Sequence, residues 1–133
     1  METRQQIRGN EGLGMAAISM DIEVSSKGRA MVIKPAAARV DIEVAGQFRS
    51  ALLQLIEQGA RSVVVDMSQV NFIDSSGLGA LVSALKALKT KERNGDIKLA
   101  NVQPPVSALL EIIRLQRVFS SYGSVDLAVQ SFS

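Results

Sequence analysis

A single α/β domain is the fold this 133-residue sequence predicts, with a mixed sheet of four to five strands, an N-terminal hairpin and about four helices packed on it. Three observations predict it. Two short strand-like segments flank turn residues at Ser25-Ser26-Lys27-Gly28, the pattern of a hairpin. After them, helical and strand periodicities alternate to the end of the chain, the order that builds a sheet covered by helices. The run Ser62-Val63-Val64-Val65-Asp66-Met67 is β-branched and continuously apolar, as a central strand covered on both faces must be. A chain of this length is of one-domain size and can bury a full core.

Residues 1–14 show no period and contain Gly9, Asn10, Gly12 and Gly14, so they read as a flexible tail ahead of a domain spanning 15–133. Gly12-Leu13-Gly14 lacks the third glycine and the preceding strand of a dinucleotide-binding loop. Met15 opens the patterned sequence and is a candidate start codon. Residues 17–24 alternate with period two, and 29–34 form the second hairpin strand, ended by Pro35. The connector Ala36-Ala37-Ala38-Arg39-Val40-Asp41 leads into a helix with Val44, Phe48, Ala51, Leu52, Leu55 and Ile56 on one face, stopped by Gly59.

Beyond the central strand, a second helix buries Leu78, Leu81, Val82, Leu85 and Leu88. Lys89, Lys91 and Arg93 in its last turns suit the negative end of the helix dipole, and Asn94-Gly95 ends it. Residues 96–101 form another strand. Pro104-Pro105 opens a third helix with Val106, Leu109, Leu110 and Ile113 on its face. A short strand near Val118-Phe119 and a last helix over 124–130, with Val125 and Val129 one turn apart, complete the fold. Met15, Met20, Met31 and Met67 read as core or strand fillers.

Composition narrows the chemistry. The chain has no histidine and no cysteine, which removes Ser-His and Cys-His nucleophiles, imidazole or thiolate metal sites, and thiol redox chemistry. Aromatic residues make up 4% with no tryptophan, a poor basis for stacking bases, and the net charge is only +2, so no nucleic-acid partner is expected. No run approaches the roughly 18 apolar residues of a membrane span, and the N-terminus has no secretory pattern. The expectation is a cytoplasmic protein without a membrane partner.

The informative segment is 63–79, VVVDMSQVNFIDSSGLG. A buried strand ends, the chain turns, and a helix opens at three successive capping residues, Asp74, Ser75 and Ser76. One cap suffices and contributes about 1 kcal/mol, yet three stand together. Gly77 and Gly79 each cost a helix about 1 kcal/mol relative to alanine, which implies a close approach to the backbone there. Asp66 could be a phospho-accepting aspartate of a two-component receiver. That chemistry needs an acidic pair after the first strand and a lysine after the last, where this chain has Glu23-Val24-Ser25-Ser26 and Ser120, Ser121 and Tyr122. Asp66 therefore reads as a strand-end turn residue. A metal cluster of Asp41, Asp66 and Asp74 is weaker still, because separate loop ends explain the three. Lys86, Lys89 and Lys91 read as the solvated side of the second helix.

The whole segment resembles the anti-sigma factor antagonists, the STAS domain family, whose signature is a strand, an aspartate, one turn and then Asp-Ser-Ser-Gly-Leu-Gly opening a helix. The resemblance covers nearly all of 16–133. Arg39-Val40-Asp41 resembles the family's Gly-Arg-Leu-Asp segment, with Ala38 in place of the glycine, and Leu99-Ala100-Asn101-Val102 followed by Pro105 also fits. The resemblance implies a STAS-like fold in which Ser75 accepts phosphate from a partner kinase that is itself the anti-sigma factor. With Ser75 free, the domain would sequester that kinase and so free a sigma factor; phosphorylation would release it. Asp41, Asp74, Ser75, Ser76, Gly77, Leu78, Ser83 and Lys86 are the implied partner-binding residues. The domain would be a kinase substrate without cofactor and not an enzyme, ATP and magnesium belonging to the partner, and a PP2C-type phosphatase is a candidate for removing the mark. Two alternatives stand beside this: a similar kinase–phosphatase switch serving another output, such as secretion or stress signalling, and a receiver-like phosphotransfer protein using Asp66.

The electrostatics of such a switch are local. A phosphoserine adds about −1.5 to −2 charge. At a helix start it meets unpaired N–H groups and the positive dipole end, a contribution of about 0.3–1 kcal/mol, so the fold should tolerate it. A docked partner must strip water from the dianion beside Asp74, and a weakening of about 3–4 kcal/mol changes the dissociation constant a few hundredfold.

Overall fold

The structure, a computed structural model, describes residues 4–8, as main chain only, and 20–132. In chain order its elements are β1 (Arg4–Arg8), β2 (Asp21–Lys27), β3 (Ala30–Ala36), β4 (Arg39–Val40), α1 (Ala45–Glu57), β5 (Ser62–Asp66), β6 (Phe72–Ile73), α2 (Ser75–Leu88), β7 (Asp96–Ala100), α3 (Pro104–Ile112), a 3-10 turn (Leu115–Arg117), β8 (Ser121–Tyr122) and α4 (Val125–Gln130). The main sheet runs β1-β2-β3-β5-β7-β8, antiparallel across the first three strands and parallel from β3 onward. This is the expected mixed sheet with its hairpin and four helices, widened by an edge strand.

The valine run of β5 explains the layering. Val63 and Val65 face the main core with Phe48, Leu52, Leu81 and Leu88, where α1, α2 and α3 pack. Val64 faces the other way, into a smaller cluster with Ala30, Val32, Ala100 and Ala128 beneath α4. Successive residues of a strand point to opposite faces, so a strand buried on both must be apolar throughout. All six residues of the expected α1 stripe are buried, and Gly59, at φ +114°, ends that helix where a side chain would be strained.

Several details differ from the sequence reading. Arg4–Arg8 lie in the segment read as a tail, yet they pair antiparallel with all but the last two residues of β2. Main-chain pairing at an edge needs no alternation, so no pattern announces it. Met15 and residues 17–19 of the expected first strand lie outside the described residues. The hairpin turn is Gly28 and Arg29, with Ser25, Ser26 and Lys27 still paired in β2. Pro35 sits inside β3. There β5 pairs only Met31–Ile33, so a missing N–H can face the open side. In α2 the buried face is carried by Ala80 and Ala84 with Leu78, Leu81 and Leu88, while Val82 and Leu85 are half-buried, because small residues let α1 lie close.

α2 also ends earlier than expected, at Leu88, which leaves Lys91 and Arg93 beyond it. The Arg93 guanidinium nevertheless reaches back to the Ala87 carbonyl at 3.2 Å. Ile113 follows α3 and is 43% exposed instead of facing the core. The last strand is Ser121–Tyr122, not Val118-Phe119. Phe119 is buried in the main core, and the strand that follows needs only the hydrogen bonds Leu99 N–H to Ser120 O and Asn101 N–H to Tyr122 O.

One small feature positions the functional region. β4 and β6 form a two-stranded parallel sheet, with Arg39 opposite Phe72 and Val40 opposite Ile73. Val40 and Ile73 are buried, which pins the connector before α1 against the start of α2.

Candidate switch and docking site

The start of α2 is built around Asp74. Its backbone is extended and its carboxylate caps the helix, with Oδ1 accepting from Ser76 N at 2.9 Å and Gly77 N at 3.1 Å. The other oxygen, Oδ2, accepts from Ile42 N at 3.0 Å, across from the connector. One carboxylate thus satisfies two otherwise unpaired helix N–H groups and also ties the α1 connector to α2. Asp41 shapes the other side. Its Oδ1 accepts from Glu43 N at 3.1 Å, its carbonyl accepts from Val44 N and Ala45 N, and its Oδ2 lies 3.4 Å from Arg39 Nε. This turn chemistry is why an aspartate stands before the helix.

With Asp74 capping, Ser75 is left free of that duty. It is the first residue of α2, is exposed, and its hydroxyl has no hydrogen-bond partner among the described residues. The two glycines divide the expected close approach between them. A Cβ on Gly77 would lie 2.5 Å from Val40 O and 2.6 Å from Ile73 Cγ1, so the approach there is the chain's own β4–β6 sheet. Gly79 is exposed, with nothing within 4 Å of such a Cβ.

At about 100° per residue, Ser75, Gly79 and Lys86 fall on one outer stripe of α2, flanked by Ser76 and Ser83. Lys86 is exposed, and Ser76 and Ser83 are half-buried. Gly77 and Leu78 turn inward and are buried, so they hold the helix in place and present no side chain to a visitor. The structure therefore brings Asp41, Asp74, Ser75 and Ser76 together and sets Ser83 and Lys86 further along the same helix.

Two features beside this cluster carry little signal in the sequence. Ile42 is 73% exposed and is anchored by its own N–H to Asp74. Its sequence signal is that it falls off the apolar stripe beginning at Val44. Arg39 and Phe72, paired across the small sheet, stack with the guanidinium carbon 4.1 Å from the ring centre. Asp66 behaves as a turn residue, its Oδ1 accepting from Ser68 N at 3.0 Å and Asn101 Nδ2 at 3.1 Å. Among the described residues no three acidic groups converge to hold a metal ion, and no helix is long and apolar enough to cross a membrane.

Fold and site together define a class: a small α/β domain that presents one helix start and its neighbouring connector as a surface. The STAS domain profile matches residues 21–128, and the chain belongs to that family. It is similar to the anti-sigma-B factor antagonist of Bacillus subtilis (strain 168), 30% identical over 94 residues that cover 71% of this chain and 84% of the relative. Among solved structures, an anti-sigma factor antagonist from Mycobacterium paratuberculosis superposes with a TM-score of 0.74 at 20% identity, covering 84% of this chain and 92% of that one. The anti-sigma factor antagonist SpoIIAA in its unphosphorylated form gives 0.70 at 21% identity over 84% and 95%. The phosphorylated form of SpoIIAA from Bacillus gives 0.65 at 20% over 84% and 99%. At those identities the solved structures speak for the fold alone.

Proposed function

We propose that this domain is an anti-anti-sigma factor, a binding module that sequesters an anti-sigma factor with serine kinase activity while Ser75 is unmodified and releases it when Ser75 is phosphorylated. The observation that carries this reading is the idle hydroxyl of Ser75, exposed at a helix start whose cap is already supplied by Asp74. Modification there leaves every cap hydrogen bond in place, so the fold survives while the surface changes charge. Similarity to the anti-sigma-B factor antagonist of B. subtilis supports the antagonist role.

In this reading the partner rests on Ile42, Asp41, Ser75, Ser76, Gly79, Ser83 and Lys86. The bare backbone at Gly79 allows close approach, and Ile42 supplies the apolar anchor. Gly77 and Leu78 support that surface from within. The domain is a kinase substrate and not an enzyme; nucleotide and magnesium come with the partner, a PP2C-type phosphatase restores the free hydroxyl, and the exchange takes place in the cytoplasm. The test is intact-mass analysis after incubation with ATP and the anti-sigma kinase of the source organism. Gain of one phosphoryl group on the wild type and none on Ser75→Ala supports the reading, and equal gain on both removes it.

A further inference from the structure

We propose that Arg39 receives the phosphoryl group carried by Ser75, exchanging its contact with Asp41 for the phosphate oxygens. This rests on Ser75 being the modified residue and adds the cation that holds the modified state. Placement comes first. Arg39 stands opposite Phe72 in the β4–β6 pair, and Ser75, the first residue of α2, lies three residues beyond Phe72, so at about 3.3–3.6 Å of reach per residue the chain separates Phe72 from Ser75 by no more than about 11 Å. An extended arginine and a phosphoserine reaching toward each other span that gap.

The guanidinium is also prepared for the exchange. Stacking on Phe72 holds it on this face, and it meets Asp41 through Nε alone at 3.4 Å. Its two terminal nitrogens have no partner among the described residues, which leaves a forked donor of the geometry that phosphate accepts. The existing ion pair is long, and the arginine side chain is 62% exposed, so it is a weak competitor.

Charge supplies the need. Asp74 caps the start of α2, and Asp41 and Glu43 stand in the connector that Asp74 ties to it through Ile42 N. Both oxygens of Asp74 are committed to main-chain N–H groups, and the Oδ1 of Asp41 is committed to Glu43 N. A phosphoryl group would add about −1.5 to −2 charge to this acidic corner. Lys86 stands eleven residues down the helix, about 16 Å away at about 1.5 Å per residue, too far to offset it. Among the described residues, Arg39 is the cation in an ion pair with this corner. Its transfer would take away the ion-pair partner of Asp41 Oδ2, so phosphorylation would rearrange the docking face as well as charge it.

The experiment uses full-length protein with phosphoserine installed at position 75 during translation, so no kinase is required. Phosphorus NMR against pH follows the second ionisation, near pH 6 for an ordinary phosphoserine. The expected midpoint in the wild-type background is lower than in Arg39→Gln by roughly half a unit or more at low salt, and the gap narrows in about 1 M salt. Arg39→Lys, which keeps the charge and loses the fork, gives a smaller depression. Equal midpoints in the wild type and Arg39→Gln overturn the inference while leaving the Ser75 switch intact. Failure of a kinase to modify Ser75 would sink the switch without moving this titration.

Discussion

Replacing Gly77 and Gly79 separately with alanine should change stability in opposite directions, although both lie in the first turns of one helix. At Gly79 the new methyl enters open space, so the intrinsic preference of alanine for helix should stabilise the protein by about 0.5–1 kcal/mol. At Gly77 the methyl would sit 2.5 Å from Val40 O and 2.6 Å from Ile73 Cγ1. The obstructing oxygen is main chain and cannot swing aside without pulling β4 from β6, so overpacking of about 1–3 kcal/mol outweighs the same helix gain. The two variants should differ by about 2 kcal/mol. With a urea slope of about 1–3 kcal/mol/M, their unfolding midpoints should lie roughly 1 M apart on either side of wild type. If Gly77→Ala stabilises as much as Gly79→Ala, the small sheet does not press on α2, and the reasoning that places Asp41 beside Ser75 fails.

Other expectations follow from the same corner. Asp74→Ala removes two cap bonds and the tie to Ile42, so chemical denaturation should show a loss of about 1–2 kcal/mol. Ile42→Ser should leave the stability within about 0.5 kcal/mol of wild type, yet weaken docking of the proposed anti-sigma kinase at least about tenfold in titration calorimetry. Ser75→Asp should keep a native circular dichroism spectrum while docking weakens; a melted spectrum would contradict a switch that acts at the surface.

The parts of the fold legible in the sequence are those where side-chain burial repeats. The α1 stripe from Val44 to Ile56 and the valines of β5 point one way or both ways into a core, and their periods show it. The pieces the sequence hides are held by main chain. Arg4–Arg8 and Ser121–Tyr122 are edge strands, and β4 and β6 are two residues each, too short to display a period. Phe119 misleads because an apolar residue in the core need not belong to a strand. At the site, Asp74 was recognisable as a cap, but its bond to Ile42 spans 32 residues and has no local sign. The glycines signalled a close approach; only the packing separates Gly77, pressed by its own chain, from Gly79, open to a visitor.

The affinity of one protein in two states reports most directly on the central claim. The chain with serine at 75, and the same chain with phosphoserine at 75, should be titrated calorimetrically into the proposed partner, an anti-sigma kinase of the source organism. Tight binding is expected for the first and a dissociation constant a few hundredfold higher for the second, a difference of about 3–4 kcal/mol. Equal affinity in the two states would contradict the claim.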